Sequence, residues 1–316
     1  MNNLLNNINL AKFRFWFIAQ KKINTLENMP LLRGKIGFLF KQKVCKHQNF
    51  KTALCIDCIE KKECLYTNLF SPDIINKNLI KPYIISVESF DNVNDINYGD
   101  RGWIYLTLFG PAVKFFNLFL EIFYFAIESL PIYSDQLELM IPELCCNSNN
   151  NNNENIDKIY KNNNNKLVYY DLNDWISQFI NNYNTKTKDI KIIFKSPIRL
   201  KKNKSFVLNN LSFLILIQTI IRRLRDLKRS YGNDKDMGKL ENILKEAKTI
   251  SIRENHLFWY RHKRYSFSQK KNVFLDGFCG NIHYIGNIDP FIPLLKAGEL
   301  LHIGKGTTCG NGKYIF

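Results

Sequence analysis

The stretch DIKIIFKSPIRL, residues 189–200, decides how the second half of the chain folds. It is rich in β-branched residues and therefore predicts a strand. Apolar residues then recur at three- and four-residue spacing, the period of one helix face. These residues are Phe213, Ile217, Ile220, Leu224 and Leu227. Strands near 250–267 and over 278–285 follow, then a helix over 291–301 and an extended end at 313–316. The order of elements is therefore βαββαβ.

The first half shows the same order of elements. The patterns predict strands over 8–18, 83–90 and 101–109, and helices over 31–44 and 113–130. The two halves approximate two βαββαβ units, the first less closely because no fourth strand is predicted there, and they indicate an α+β fold with tandem ferredoxin-like (RRM-like) domains. A glycine-rich segment near the C-terminus follows the last predicted helix.

An asparagine-rich stretch separates the two halves. Residues 147–165 contain mostly Asn and have no apolar periodicity, which is typical of a solvated linker. We therefore predict an N-terminal domain over 1–146 with a cysteine-rich insertion at 45–64, a linker or loop over 147–166, and a C-terminal domain over 167–316. The alternative is a surface insertion within a single domain.

The composition is that of a folded, strongly basic protein. Lys and Arg number 45 against 28 Asp and Glu, a formal net charge of +17, and 45% of residues are hydrophobic. That much apolar surface excludes a wholly disordered chain. A large positive charge attracts polyanions, nucleic acid first and anionic membranes second.

Two apolar segments raise the question of a membrane. Residues 103–133 are interrupted by Gly110-Pro111 and by charged residues, and residues 205–221 carry Asn and Gln. Both fall short of the roughly 20 clean apolar residues that a bilayer span needs. The N-terminal sequence lacks the features of a secretory signal. We therefore expect buried helices, a cytoplasmic location with no membrane partner, and reduced cysteines.

The C-terminal segment carries the most informative motif. It reads LLHIGKGTTCGNGKY over residues 300–314, with glycines around Lys305 and two threonines. Glycines let a backbone approach an anion closely, and N–H groups with an ammonium are suitable donors. Neither a P-loop nor a dinucleotide fingerprint fits the spacing, because no helix or βαβ unit follows. Local chemistry leaves two alternatives open, phosphate contact or a tight turn that needs positive φ.

This segment resembles the glycine-rich loop of the CRISPR-associated endoribonucleases that process precursor CRISPR RNA, the Cas6 family of the RAMP superfamily. Three further segments are similar to the same family: PLLRGKIG at 30–37, CLYTNLF at 64–70, and RYSFSQ at 264–269 with GFCGNIHYIG at 277–286. The sequence departs from the family pattern at Cys309, where a bulky apolar residue is usual, and at Ser268, where Arg is expected.

The resemblance implies RNA lying along a basic cleft and cleavage of CRISPR repeat RNA without a metal. In this reaction the 2′-hydroxyl attacks the adjacent phosphate and leaves a 2′,3′-cyclic phosphate, which requires a base, an acid and cations. His302, two residues before the glycines, is the first candidate base, Lys305 the candidate cation and His47 the second histidine, ahead of Tyr265 and His283. The alternative for His302 is a packed core residue.

RNA contacts are predicted in the glycine-rich segment and in a basic, aromatic one. The first set is Gly304, Gly306, Thr307, Gly310, Gly312 and Lys313. The second set, within WYRHKRY at 259–265, is Arg261, Arg264 and Tyr265, where rings suit stacked bases and cations suit phosphates. A strand with one aromatic face in the core is the alternative. The run RRLRDLKR at 222–229 either contacts RNA or forms a solvated helix end.

Four cysteines cluster in the first half. The spacing Cys45-x9-Cys55-x2-Cys58-x5-Cys64 suits a structural zinc site with tetrahedral thiolates, and His47 is a possible substitute ligand. Uncoordinated reduced cysteines and an iron–sulfur cluster are the alternatives. We expect no cofactor for catalysis. The partners expected are CRISPR repeat RNA and subunits of a CRISPR effector complex, and a non-catalytic RNA-binding RAMP subunit is the alternative function.

Overall fold

The structure is a computed structural model of the 316-residue chain. It describes residues 2–89, 95–134, 137–140, 169–183, 188–202, 205–206, 211–232, 240–261, 263–266 and 271–316. The predicted linker, 147–166, lies outside these residues.

In the first half, helices pack on an antiparallel sheet. Its elements are α1 (Asn2–Leu5), β1 (Asn9–Ala19), β2 (Ile23–Asn24), α2 (Thr25–Val44), β3 (Tyr83–Ser89), β4 (Asp95–Ile96), β5 (Arg101–Phe109), α3 (Phe116–Ile127), β6 (Ile132–Tyr133), β7 (Leu137–Met140) and β8 (Tyr170–Asp171). The sheet runs β3-β5-β1-β6, and β7 and β8 also pair with β1. With β7 as the fourth strand, the order is that of a ferredoxin-like unit.

The second half repeats this arrangement. Its elements are α4 (Leu172–Asn182), β9 (Asp189–Ile198), β10 (Lys201–Lys202), β11 (Ser205–Phe206), α5 (Phe213–Tyr231), α6 (Glu241–Ala247), β12 (Ser251–Tyr260), β13 (Lys263–Ser266), β14 (Lys271–Phe274), β15 (Gly277–Ile285), α7 (Ile292–Leu301) and β16 (Tyr314–Ile315). The main sheet runs β12-β15-β9-β16, all antiparallel. The strand order of both sheets confirms the predicted tandem ferredoxin-like fold.

Strand β1 contributes different side chains to the two faces of the first sheet. Phe13, Phe15 and Phe17 are buried in a core shared with α2 and α3, and Lys12 and Arg14 alternate with them on the other face at intermediate exposure. This alternation follows from the two-residue period of a strand. On that other face, first-half residues at the ends of the strands join a core built mostly by the second half.

Helix boundaries differ from the sequence prediction at two places. Helix α2 begins at Thr25 rather than near residue 31, and it includes Pro30. Pro30 is the sixth residue of this helix, so the hydrogen bond that an N–H at position 30 would donate to the carbonyl of residue 26 is absent. Helix α3 begins at Phe116 because the preceding Gly110–Phe115 forms a 3₁₀ turn.

The segment Gly110–Ile127 is long and apolar enough, by length and composition, to cross a membrane. In the structure, one face of its helical part packs in the first-half core through residues that include Phe119, Leu120 and Phe123. A core helix passes the same test of length and composition, and this packing is that of a core helix.

Candidate functional site

The glycine-rich segment folds as a loop, here called the glycine loop (residues 304–312), between α7 and β16. Gly304, Gly306, Gly310 and Gly312 all have positive φ, between 78° and 88°. At Gly304 a Cβ would lie 2.8 Å from the carbonyl oxygen of Arg199, and at Gly312 it would overlap Ile303. Glycine is therefore required at these positions by the backbone itself.

Much of the hydrogen-bonding capacity of the loop is used inside the protein. The N–H of Lys305 donates to the carbonyl of Arg199 at 3.2 Å, and the N–H of Gly312 donates to that of Pro197 at 3.0 Å. These bonds hold the loop against the end of β9. The exposed group that the loop presents to solvent is the side chain of Lys305, so anion contact here depends on that ammonium more than on backbone donors.

Three predicted RNA contacts face inward. Thr307, Gly310 and Gly312 are buried, and a Cβ on Gly310 would lie 3.0 Å from the carbonyl oxygen of Ile85 in β3. The loop reaches the first half here because the 3₁₀ turn Thr307–Cys309 packs on β3. Thr307 and Gly310 lie against the first half and Gly312 lies against Ile303, so burial argues against their RNA contacts, which stay predictions.

Lys313 also faces the first half. Its Nζ donates to Glu88 Oε2 at 3.0 Å, and the hydroxyl of Tyr105 donates to the same oxygen at 3.1 Å. Burial raises the pKa of Glu88, but Lys313 and the hydrogen bonds outweigh it, and the net shift is downward. The charge of Lys313 is thus balanced within the protein, which argues against its predicted role in binding RNA.

His302 is a core residue in this structure. The side chain is buried, with the residue only 4% exposed, and Nδ1 lies 3.3 Å from the carbonyl oxygen of Asn311, which it contacts as a donor. Burial holds the pKa of His302 well below 6.5, and the charges of Lys313 and Lys12 add to the effect. Because RNA does not reach a buried ring, the geometry favours the packed-histidine alternative over the predicted general base.

A cavity of about 200 Å³ lies beside the glycine loop; we call it the arginine cavity. Its charged lining residues are Arg199, Arg222, Arg223, Asp226 and Lys305. They come from β9 and its continuation, from α5 and from the loop, and Ile80 of the first half completes the wall. Four cations against one carboxylate make this a strongly positive concave surface.

The predicted metal ligands line a second cavity, of about 470 Å³, here called the cysteine cavity. Cys45, Cys55, Cys58 and Cys64 all border it, and His47 Nε2 lies 3.3 Å from Cys58 Sγ. Burial raises the pKa of Cys55, and Lys41 opposes this shift. Within the described residues, however, no three His, Cys, Asp or Glu side chains are grouped so as to hold a metal ion. The zinc site remains a prediction.

His47 and Lys305 do not share a site. Among the residues that the structure describes, those lining the cysteine cavity fall within 41–67, whereas Lys305 lines the arginine cavity. His47 itself is exposed, and Lys41, Lys46 and Lys61 border the same cavity. It is therefore an accessible imidazole among ammonium groups, with properties that the buried His302 lacks.

The basic and aromatic segment at 259–265 is only partly described. Arg261 is exposed just after β12, and the ring of Trp259 packs edge-on against Phe278 at 5.3 Å between centroids. Arg264 and Tyr265 belong to β13, but their side chains lie outside the described part of the chain. Trp259 therefore follows the core alternative, and Arg261 remains a predicted RNA contact.

Sequence reasoning missed the cationic face of the first sheet. Arg14 lies over the ring of Trp103 at 4.1 Å, and Lys12 over that of Tyr105 at 4.7 Å. The signal was present, because Lys12, Arg14 and Trp16 alternate with phenylalanines in β1. No pattern in the sequence indicated that Arg199 and Arg223 line the same cavity.

Two family models match the chain. The model of the CRISPR-associated endoribonuclease Cas6 matches residues 192–314, which include the glycine loop. A second model, described as an N-terminal domain, matches residues 8–169. No curated protein matches the chain.

Solved structures with the same fold cover nearly the whole chain. Cas6 from Thermus thermophilus is 8% identical, covers 98% of each chain and has a TM-score of 0.48. A product complex of the same Thermus protein is 11% identical, covers 97% of this chain and 98% of its own, and has a TM-score of 0.50. A RAMP protein described as binding different RNA substrates is 10% identical, covers 96% of this chain and 98% of its own, and has a TM-score of 0.41.

The class defined by this fold is a protein of two ferredoxin-like units with a glycine loop held against both. Within that class, the match over residues 192–314 is specific. Residues 192–314 match the Cas6 family of CRISPR-associated endoribonucleases, the family that the sequence resemblance had predicted.

Proposed function

We propose that the protein binds CRISPR repeat RNA and cleaves it in precursor transcripts. The match of residues 192–314 to the Cas6 endoribonuclease model carries the proposal. The solved relatives include product and substrate-mimic complexes of Cas6 proteins. The net charge of +17 and the exposed Lys305 beside the arginine cavity suit a polyanionic substrate.

The proposed reaction is a transesterification that needs no metal. A base removes the proton of a 2′-hydroxyl, and the 2′-oxygen forms a bond to the adjacent phosphorus. The bond from phosphorus to the 5′-oxygen breaks, and an acid protonates that oxygen, leaving a 2′,3′-cyclic phosphate. Cations near the phosphate stabilise the charge of the transition state.

His47 is the proposed general base. The observation that favours it is accessibility, because its imidazole is exposed and three lysines border the same cavity. Imidazole is suited to proton transfer near neutral pH. Lys305 is proposed to bind a phosphate of the same RNA. It is not proposed to act as the base or the acid.

Single-turnover cleavage of repeat RNA in excess EDTA tests this function. We expect cleavage to continue, the product to end in a cyclic phosphate, and RNA with a 2′-deoxy group at the scissile position to bind without being cut. Cleavage that stops in EDTA and returns with Mg²⁺ would contradict the proposed chemistry. Wild-type protein that binds repeat RNA and never cuts it would indicate the non-catalytic subunit instead.

Binding of the deoxy RNA tests the role of charge. Affinity should fall steeply between about 50 and 200 mM salt, because each phosphate contact releases counterions. Lys305→Ala should weaken binding and cleavage together, since its charge meets phosphate in both the ground and the transition state. Affinity that does not change with salt would argue against RNA as the polyanion.

A further inference from the structure

The arginine cavity contains a cation that the protein does not fully satisfy. Arg223, on α5, donates from Nε to the carbonyl of Leu301 at 3.3 Å. Its Nη2 is buried and has no hydrogen-bond partner among the described residues. A buried donor without a partner costs free energy, and more when it is charged. Arg223 as a whole is partly exposed and lines the arginine cavity, unlike the buried His302, so an acceptor that enters the cavity from outside the chain would remove this cost.

The electrostatics of Arg223 indicate the charge of that acceptor. Burial lowers the pKa of Arg223 to about 10, while Asp226 opposes the shift. The guanidinium still carries its proton at neutral pH, so its charge is present and poorly solvated. Arg222 and Lys305 line the same cavity and are exposed to solvent. Together they supply cations at the opening and a fixed guanidinium inside.

The dimensions of the cavity limit the size of its ligand. About 200 Å³ is below the usual volume of a pocket for a complete small-molecule ligand, roughly 300–1,000 Å³, but is ample for a tetrahedral anion. Guanidinium groups match the geometry of phosphate oxygens through paired donors. Ile80 and Leu200 add apolar lining to the cavity, and a charge interaction is stronger beside apolar groups than in water.

We propose that the arginine cavity binds one phosphate group, with Arg223 as its buried ligand and with Arg222 and Lys305 at its mouth. The source of the phosphate is the backbone of the RNA, and this part of the inference rests on the proposed function. The cavity lies at the meeting of α5, the glycine loop and the first half. A phosphate bound here fixes the position of the RNA along the junction of the two halves.

The test combines Arg223→Gln with two further variants. Arg222→Gln changes an exposed lining residue and so preserves folding, and Arg229→Gln is the matched control on the same helix, since Arg229 is exposed and does not line the cavity. We expect Arg223→Gln to weaken binding of non-cleavable repeat RNA about 10- to 100-fold. Arg222→Gln should weaken it less, and Arg229→Gln by less than about threefold.

Two readouts identify the phosphate. First, single methylphosphonates, which are uncharged, are placed at each position of the RNA. At one position, the methylphosphonate should weaken binding of the RNA to wild type. The same modified RNA should bind Arg223→Gln no more weakly than the unmodified RNA does. Second, inorganic phosphate should raise the melting temperature of wild type more than chloride at equal ionic strength, and should not do so for Arg223→Gln. The size of the second effect does not depend on RNA.

The outcomes separate the two proposals. If wild type binds no repeat RNA but phosphate still stabilises it through Arg223, the proposed function fails and the anion site stands. If RNA binds with equal affinity to wild type and to folded Arg223→Gln and Arg222→Gln, and no methylphosphonate couples to Arg223, the phosphate site is wrong while the function survives. Arg223→Lys, which keeps the charge and loses the fork, should restore only part of the affinity.

Discussion

The cysteine cavity and the arginine cavity differ in how the chain builds them. The cysteine cavity is lined only by residues 41–67, so its sulfur and imidazole groups are also neighbours in the sequence. The arginine cavity takes its residues from the first half, from the end of β9, from α5 and from the glycine loop. A local cavity depends on one segment, whereas an assembled cavity depends on the docking of the two halves. Mutations in the cysteine cavity should therefore change its chemistry without disturbing the rest of the fold. Mutations in the arginine cavity should also affect the packing of the two halves.

The largest effect is expected in the cysteine cavity. His47→Ala should lower single-turnover cleavage about 10²- to 10⁴-fold, because it removes the proposed base. Affinity for deoxy RNA should stay nearly unchanged, since the base acts only in the transition state. His256→Ala is the control, an exposed histidine on β12.

Wild-type cleavage rates in His47→Ala would contradict the assignment of His47 as base. Zinc content measured on the same variant provides a second comparison. A variant that loses both metal and folding would show His47 to be a ligand.

Metal content tests whether the cysteine cavity is more than a local cluster. If its four thiolates hold zinc, purified protein should carry about one equivalent, and chelation should lower the melting temperature. Cys58→Ser should reduce the metal content, and Cys309→Ser, outside the cavity, should not. Metal-free protein with the same melting temperature would refute the zinc site and leave the nuclease proposal intact.

The buried His302, which lies just before the glycine loop, should make the stability of the protein depend on pH. His302 is neutral when folded because burial holds its pKa well below 6.5, whereas the unfolded chain binds a proton near that value. Stability from this group is therefore full above pH 6.5 and is lost as pH falls below it, by at most about 1.4 kcal/mol per pH unit.

His302→Gln is the variant for this comparison. Urea denaturation between pH 5 and pH 7.5 should show a smaller change in unfolding free energy for the variant than for wild type. Cleavage per folded molecule should remain near the wild-type rate. A folded variant that has lost cleavage would restore His302 as a catalytic candidate.

The smallest effect is expected at the ion pair that joins the two halves. Lys313→Met leaves the half-buried Glu88 without its cation, and should cost about 1–3 kcal/mol of unfolding free energy. Adding Glu88→Gln should recover part of this loss, which a double-mutant cycle by urea denaturation would measure. The salt dependence of RNA binding should not change. A salt slope lowered by about one would instead show that Lys313 contacts phosphate.

The periodic elements were predictable because each depends on local patterns. The β-branched run at 189–198 and the apolar spacing over 213–227 identified β9 and α5, and both ferredoxin-like units followed from the order of elements. The start of α2 was missed by several residues because a proline is typical of a helix start, whereas Pro30 lies inside this helix, at its sixth residue.

The candidate site was predictable only in part. The glycine motif and the cysteine spacing are contiguous, so the sequence by itself determined where the loop and the cysteine cavity lie. It also determined the basic charge and the resemblance of residues 192–314 to the Cas6 family. Only the tertiary structure decided that His302 and Lys313 face the junction and that Arg223 joins Lys305 in one cavity. The reason is that burial and charge compensation are set by residues more than a hundred positions away, such as Glu88 beside Lys313, and a local pattern carries no information on them.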